Sequence, residues 1–293
     1  MGNPRIPFGL SSRRTPVLPP DGKRLIVHVV VNVEHWPFDQ AMPRHILSPP
    51  GGAGNVPDVP NFSWVEYGLR CGLPRILRLL TRHAIPFSAA VNSSIATTYP
   101  ECLAALCEAD CEFIGHGTIQ QPLPLAEDEL SIIRRALDEL ADATGQAVRG
   151  WLGPGLAETN RTPDILAQLG VEYVCDWFVD DLPCWMQTKK GRLLALPYAL
   201  DLNDVVIFAI EKHPSAELPR RVQDTVAVFE REFDQGPRIL TLALHPHIVG
   251  VPHRFFHLER TLADLAARDD TLFLTGGGIA DWYVSASGTS GAI

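Results

Sequence analysis

Residues 25–36 read LIVHVVVNVEHW, and the way this stretch ends decides the fold. Val27, Val29, Val31 and Val33 alternate with Ile26, Val30 and Asn32, so both sides stay apolar almost to the end. A strand covered on both faces reads this way, as strands do in parallel sheets flanked by helices. The tip then delivers Asn32, Glu34 and His35. In α/β barrels and doubly wound sheets the chemistry sits at that end of the strands. A strand leaving into a polar loop would look similar, so the weight falls on further strand-like runs that end alike.

Four do. The run at 111–114 leads into GHGTIQ (115–120), which carries His116 and Gln120; the run at 148–152 holds Trp151 and leads to Gly153. The run at 172–175 precedes Asp176, Trp177, Asp180 and Asp181, and the run at 238–244 leads to His245 and His247. Carboxylates and imidazoles gathered at strand tips can serve as general base, general acid or metal ligands. His116 stands between two glycines, which lets its backbone and ring approach a ligand closely. Asp180 and Asp181 read equally well as a solvated turn. His28, inside the apolar run, reads as a core histidine. His45, His83, His213, His253 and His257 fall in loops or helices and receive no role.

Between these runs the spacing turns helical. Leu69, Leu73, Ile76, Leu77 and Leu80 share one side of a helix over 67–83. Helices are also predicted at 100–109, 126–144, 162–169, 218–233 and 257–267, and strands at 86–91, 193–196, 205–208 and 271–274. Strand–helix alternation at this pitch implies parallel βαβ units, and so many units suit a closed or nearly closed barrel. No Gly-rich dinucleotide fingerprint or phosphate loop follows any strand. The predicted organisation is an N-terminal arm (1–22), one barrel domain (23–285) and a short tail (286–293). The Pro- and Gly-rich segment 36–64 is read as an insertion at the first tip, placed to cover the site or to meet a neighbouring subunit.

A chain of 293 residues with 46% hydrophobic content can bury such a core. Its formal charge of -9 argues against a nucleic-acid surface, which needs a basic stripe. No apolar run approaches the roughly 20 residues that cross a bilayer. Residues 1–22 lack the apolar stretch of a secretory signal, so the expected location is cytoplasmic. The expected partners are a small-molecule substrate and other copies of the chain in a homo-oligomer. The 6 cysteines form no Cys-x-x-Cys pair and read as free thiols.

The order Asn-x-Glu, Gly-His-Gly, Arg-Gly-Trp-x-Gly-Pro, Asp-x-x-x-Asp-Asp-Leu-Pro and Leu-x-Leu-His resembles the polysaccharide deacetylase superfamily. It is most similar to the branch that holds the metal-independent allantoinases and the bacterial cyclic imide hydrolases. ETNRTP (158–163), DDLP (180–183) and LPYALDLND (196–204) carry much of the likeness, which spans roughly residues 20–285. The resemblance implies a distorted (β/α) barrel of about seven parallel strands and hydrolysis of a carbon–nitrogen bond in a small cyclic amide, imide or ureide. Polysaccharide de-N-acetylation and a non-catalytic binding protein on the same barrel are the alternatives.

In the preferred reading Glu34 takes a proton from water and His245 protonates the departing nitrogen. His116 and a backbone N–H near Gly153 or Gly155 face the oxyanion. Trp151 and Trp177 would wall a flat ring, Asn32 and Gln120 would read its edge, and Asp176 and His247 complete the substrate-binding set. Two departures bear on metal. Where the family carries adjacent acidic residues, this chain has Asn32-Val33-Glu34-His35. Where the family carries His-x-x-x-His, it ends in Gln120, a poor zinc ligand. Either the enzyme works without metal, or one divalent ion, zinc as first choice, sits on Glu34, His35 and His116.

Overall fold

β1 (Leu25–Val33) is buried over all nine residues, and the other strands assemble around it. The computed structural model describes residues 2–45, 47, 54–125 and 127–288; parts of the expected insertion and tail lie outside these. One edge of β1 takes β8 (Arg238–Leu244), in register from Leu25 with Arg238 to Val31 with Leu244. The other edge is shared. β9 (Thr271–Phe273) pairs with its first residues and β2 (Ser88–Val91) with its last. Beyond β2 follow β3 (Glu112–Gly115), β4 (Gly150–Trp151), β5 (Tyr173–Val174) and β7 (Gly191–Ala195), all parallel. β6 (Cys184–Thr188) adds to β7 antiparallel and ends the nine-stranded sheet.

The sheet curls until its ends nearly meet. Along the free edge of β8, Ile239 N–H donates to the Asp181 carbonyl (3.2 Å) and Ala243 N–H to that of Leu202 (3.4 Å). Between them the Thr241 hydroxyl donates to the Pro197 carbonyl at 2.6 Å. These irregular contacts stand where a regular strand would close a barrel. The result is the single-domain distorted (β/α) barrel that the alternation predicts.

Side-chain parity along the strands places the site. Leu25, Val27, Val29, Val31 and Val33 pack outward into the layer under the helices, whereas Ile26 and Val30 belong to the inner cluster. With a period of two, Asn32 and Glu34 continue the inner row. β8 repeats the pattern: Leu240, Leu242 and Leu244 face outward, Ile239 and Ala243 inward, which carries His245 to the inner side. His28 is buried beside the Ser88 hydroxyl at 3.0 Å, a core histidine as read from the sequence.

The outer layer comprises α1 (Val59–Tyr67), α2 (Leu73–Arg82), α3 (Ile95–Thr98), α4 (Pro100–Glu108), α5 (Glu129–Thr144), α6 (Thr162–Gln168), α7 (Glu217–Arg231), α8 (Pro252–Ala266) and α9 (Gly276–Ala286). No described helix is long and apolar enough to cross a membrane. Among the elements that depart from expectation, three have a clear physical reason. α1 occupies the end of the expected insertion, started by Asp58, whose carboxylate accepts from Asn61 N–H at 3.2 Å. The expected strand at 205–208 is instead a wide helical turn, Val205–Ile210. Asn203 accepts Val205 N–H at 2.9 Å and so starts the turn, and burial of Val205, Ile207 and Phe208 overrides their β preference. α9 begins on three glycines, weak helix formers, because its first amides are consumed by the barrel floor. Gly276 N–H donates to Ser88 Oγ (3.0 Å) and Gly277 N–H to the Glu112 carboxylate (2.9 Å). A Cβ on either glycine would crowd Tyr173 or Glu112.

The N-terminal residues lie along the barrel. Arg5 reaches both carboxylate oxygens of Asp164 at 3.0 Å, and Arg14 pairs with Asp180. Asp180 is thereby a structural partner, and Asp181 contributes its carbonyl to β8. All six cysteines are free.

Candidate active site

Glu34 lies one residue beyond β1, only 5% exposed. Its Oε2 accepts the Trp36 indole N–H at 2.7 Å. Its Oε1 faces two imidazoles, His245 Nε2 at 3.5 Å and His116 Nε2 at 3.8 Å. His245, at the tip of β8, donates through Nδ1 to Asp204 Oδ1 at 2.6 Å and through its backbone N–H to Asp204 Oδ2 at 2.7 Å. Asp204 is fully buried, so this pairing is not diluted by water.

The charges follow from that line of groups. Burial opposes a charged His245, but the carboxylates of Asp204 and Glu34 outweigh it and push the imidazole up to about 9. Burial would raise the Glu34 carboxyl, yet the imidazoles of His116 and His245 hold it well below the usual carboxylate range. Near neutral pH the site therefore holds a carboxylate against an imidazolium. His116 Nδ1 donates to the Leu152 carbonyl at 2.5 Å, which fixes the ring and leaves Nε2 buried with no hydrogen-bond partner.

These groups floor a cavity of about 310 Å³. Gln120 lines it with a buried, unpartnered Oε1, an acceptor awaiting a donor. Asn32 lines it too, but its amide hydrogens are committed to the Tyr198 hydroxyl (3.0 Å) and the Leu244 carbonyl (3.3 Å). Arg44, from the segment after β1, is the one Lys or Arg among the described lining residues.

Five sequence-predicted residues do not line the cavity. Trp151 precedes the inward-facing Leu152, so parity turns its indole into the opposite core layer, where it is fully buried. Trp177 donates to Glu158 at 2.8 Å. His247 packs edge-on against Trp36 and His245, and burial holds it down to about 3. His35 bonds Ser94 Oγ at 2.7 Å and meets the Tyr99 ring edge. Asp176 works one step behind the wall: its Oδ1 accepts Gly153 N–H at 2.7 Å. That bond removes the Gly153 amide as an oxyanion donor, although Gly153 itself lines the cavity. Asp176 Oδ2 and Glu158 Oε1 are buried acceptors without donors. Burial and the Glu158 charge raise Asp176 well above the usual range, so one proton shared with Glu158 satisfies both.

Sequence reasoning missed Asp204, Tyr198, Trp36 and Arg44. Asp204 and Tyr198 both stand in LPYALDLND, so the segment is visible, but its pairing with a residue 41 positions away is not.

A zinc site needs three or four nitrogen, sulfur or carboxylate donors converging at about 2 Å. Among the described residues no group of three His, Cys, Asp or Glu side chains is arranged to hold an ion. His35 is held away by Ser94, and Gln120 stands where a second imidazole would be needed. The donor set on Glu34, His35 and His116 does not fit such an ion.

Residues 62–174 match the model of the polysaccharide deacetylase family, and the deacetylase- and allantoinase-like proteins that the chain resembles are carbon–nitrogen bond hydrolases. A Schizosaccharomyces pombe protein named for polysaccharide deacetylase is 27% identical over 228 residues, 71% of each chain. The peptidoglycan deacetylase of Helicobacter pylori is 25% identical over 135 residues, 45% of this chain and 46% of that protein. Among solved structures, PuuE allantoinase superposes with a TM-score of 0.84 at 24% identity, covering 97% of this chain and 98% of its own. A probable polysaccharide deacetylase from Pseudomonas aeruginosa PAO1 gives 0.83 at 24% identity, covering 93% and 95%.

Proposed function

We propose that this chain opens a small cyclic imide, amide or ureide by hydrolysis, with Glu34 as base and His245 as acid. The observation that carries the reading is the buried line Asp204–His245–Glu34, which supplies an imidazolium and a carboxylate 3.5 Å apart at the floor of a cavity. A cavity of about 310 Å³ suits one small ring. The unpartnered Gln120 Oε1 suits a ring N–H. Arg44 suits the carboxylate that ring opening releases.

The chemistry balances without an added reactant. Water attacks the ring carbonyl and gives a proton to Glu34, and the imidazolium of His245 is the nearest positive charge to the oxyanion. The carbon–nitrogen bond breaks as His245 hands its proton to the nitrogen. Losing that charge releases the hold on the Glu34 carboxyl, so the proton taken from water stays on Glu34 while the carbon–nitrogen bond breaks. Glu34 then returns the proton to His245, and the product leaves as carboxylate and amide with one proton released. The reading brings with it a small-molecule substrate, a cytoplasmic place of work and a homo-oligomer.

The family match favours a second reading, de-N-acetylation of a glycan by the same residues. Succinimide, maleimide, hydantoin, allantoin and an N-acetylglucosamine oligomer, each assayed on parent and Glu34→Gln protein, separate the two. Ring opening abolished by Glu34→Gln is expected. Acetate release from the oligomer with every ring untouched would overturn the proposal.

A further inference from the structure

Beside the reacting groups, much of the cavity lining is aliphatic. Leu152 and Leu156 come from the segment after β4; Leu200, Val205, Val206 and Ile210 come from the segment between β7 and α7. The wide turn Val205–Ile210 buries Val205, Ile207 and Phe208. Val206 and Ile210 are left at the cavity. Leu200 and Ile210 remain 43% and 58% exposed there, large apolar side chains beside a site whose floor is charged. The polar residues of that segment are already engaged: the Asn203 side-chain oxygen accepts Val205 N–H at 2.9 Å, and the Tyr198 hydroxyl is bonded to the Asn32 amide at 3.0 Å. A bare imide or ureide ring satisfies the Glu34, Gln120 and His245 side and leaves this wall against water. A sugar would set hydroxyls against it, where the aliphatic side chains offer them no hydrogen bond.

We infer that the substrate ring carries an aliphatic substituent on a ring carbon, which lies against Leu200, Val206 and Ile210. This rests on the ring-opening reading above for the placement of the ring. Each methylene buried against the wall should tighten binding about fourfold, the equivalent of ~0.8 kcal/mol.

The test is calorimetric binding of succinimide and its 2-methyl, 2-isopropyl and 2-isobutyl derivatives to Glu34→Gln protein, with parent turnover of the same series measured alongside. Affinity should climb with alkyl size, and Ile210→Ser should flatten the climb. Binding with no dependence on alkyl size overturns the inference, and turnover without that dependence overturns it while leaving ring hydrolysis standing. A graded affinity with no parental turnover upholds the wall and sinks the hydrolytic reading. If no ring binds, both fall.

Discussion

Asp204→Asn is the sharpest test of the proposed acid. The substitution keeps the size of a fully buried side chain that accepts two hydrogen bonds from His245, but removes its charge. Without that charge, burial dominates and drives the imidazole toward neutrality, as it does for the neighbouring His247, held down to about 3. In the parent protein, His245 rises from its ordinary 6.5 to about 9. At about 1.4 kcal/mol for each tenfold change in proton affinity, that is on the order of 3 kcal/mol. A raised value means the contribution is whole below pH 6.5 and is lost as pH climbs through about 9. Parent turnover should therefore hold across neutral pH and fall with an apparent pKa near 9. Asp204→Asn should lose about 10²–10⁴-fold in kcat at neutral pH, the usual worth of a positioned proton donor. Its alkaline stability loss between pH 6.5 and 9 should shrink as well. The assay is kcat and kcat/KM against pH by loss of imide absorbance, with thermal unfolding at each pH. Breaking a buried pair costs about 3–5 kcal/mol, so circular dichroism must first show folded protein. A folded variant with parental turnover and an unmoved limb near pH 9 would refute the assignment of His245 as acid.

His35→Ala should change kcat less than about threefold, since His35 is bonded to Ser94 away from the cavity, and chelator should leave turnover intact. A stoichiometric ion found by elemental analysis, with activity lost on its removal, would overturn the ligand argument. Asp176→Asn should keep most activity, because an amide replaces a protonated carboxyl beside Glu158 and still accepts Gly153 N–H; Asp176→Ala should raise KM more than it lowers kcat, and equal behaviour of the two would sink the shared proton. Replacing residues 47–59 with a short Gly-Ser bridge should reduce turnover while barrel unfolding shifts little, since Arg44 and Trp36 at the root of this segment reach the site; parental turnover would show the segment has no part in the chemistry.

What could be read in advance was whatever depends on neighbours along the chain. Alternating apolar residues from Leu25 to Val33 announce a strand covered on both faces, and the polar residues just beyond announce a tip. Parity alone then puts Asn32 and Glu34 on the inner row, and the same reasoning delivers His245. It also reverses the expectation for Trp151: a one-residue step moves a side chain to the other face of a sheet, and Leu152 holds the inner place. The distant pairings lay beyond reach. Asp204 against His245, Tyr198 against Asn32 and Asp176 against Gly153 depend on how far the sheet curls before β8 meets the irregular chain around Leu202. Curl is a sum of small twists over nine strands, carried by no local pattern. Local chemistry thus settled which residues stand at the strand tips. Which carboxylate tunes which imidazole, and which residues line the cavity, was decided only when closure of the barrel brought those tips together and buried their charged groups.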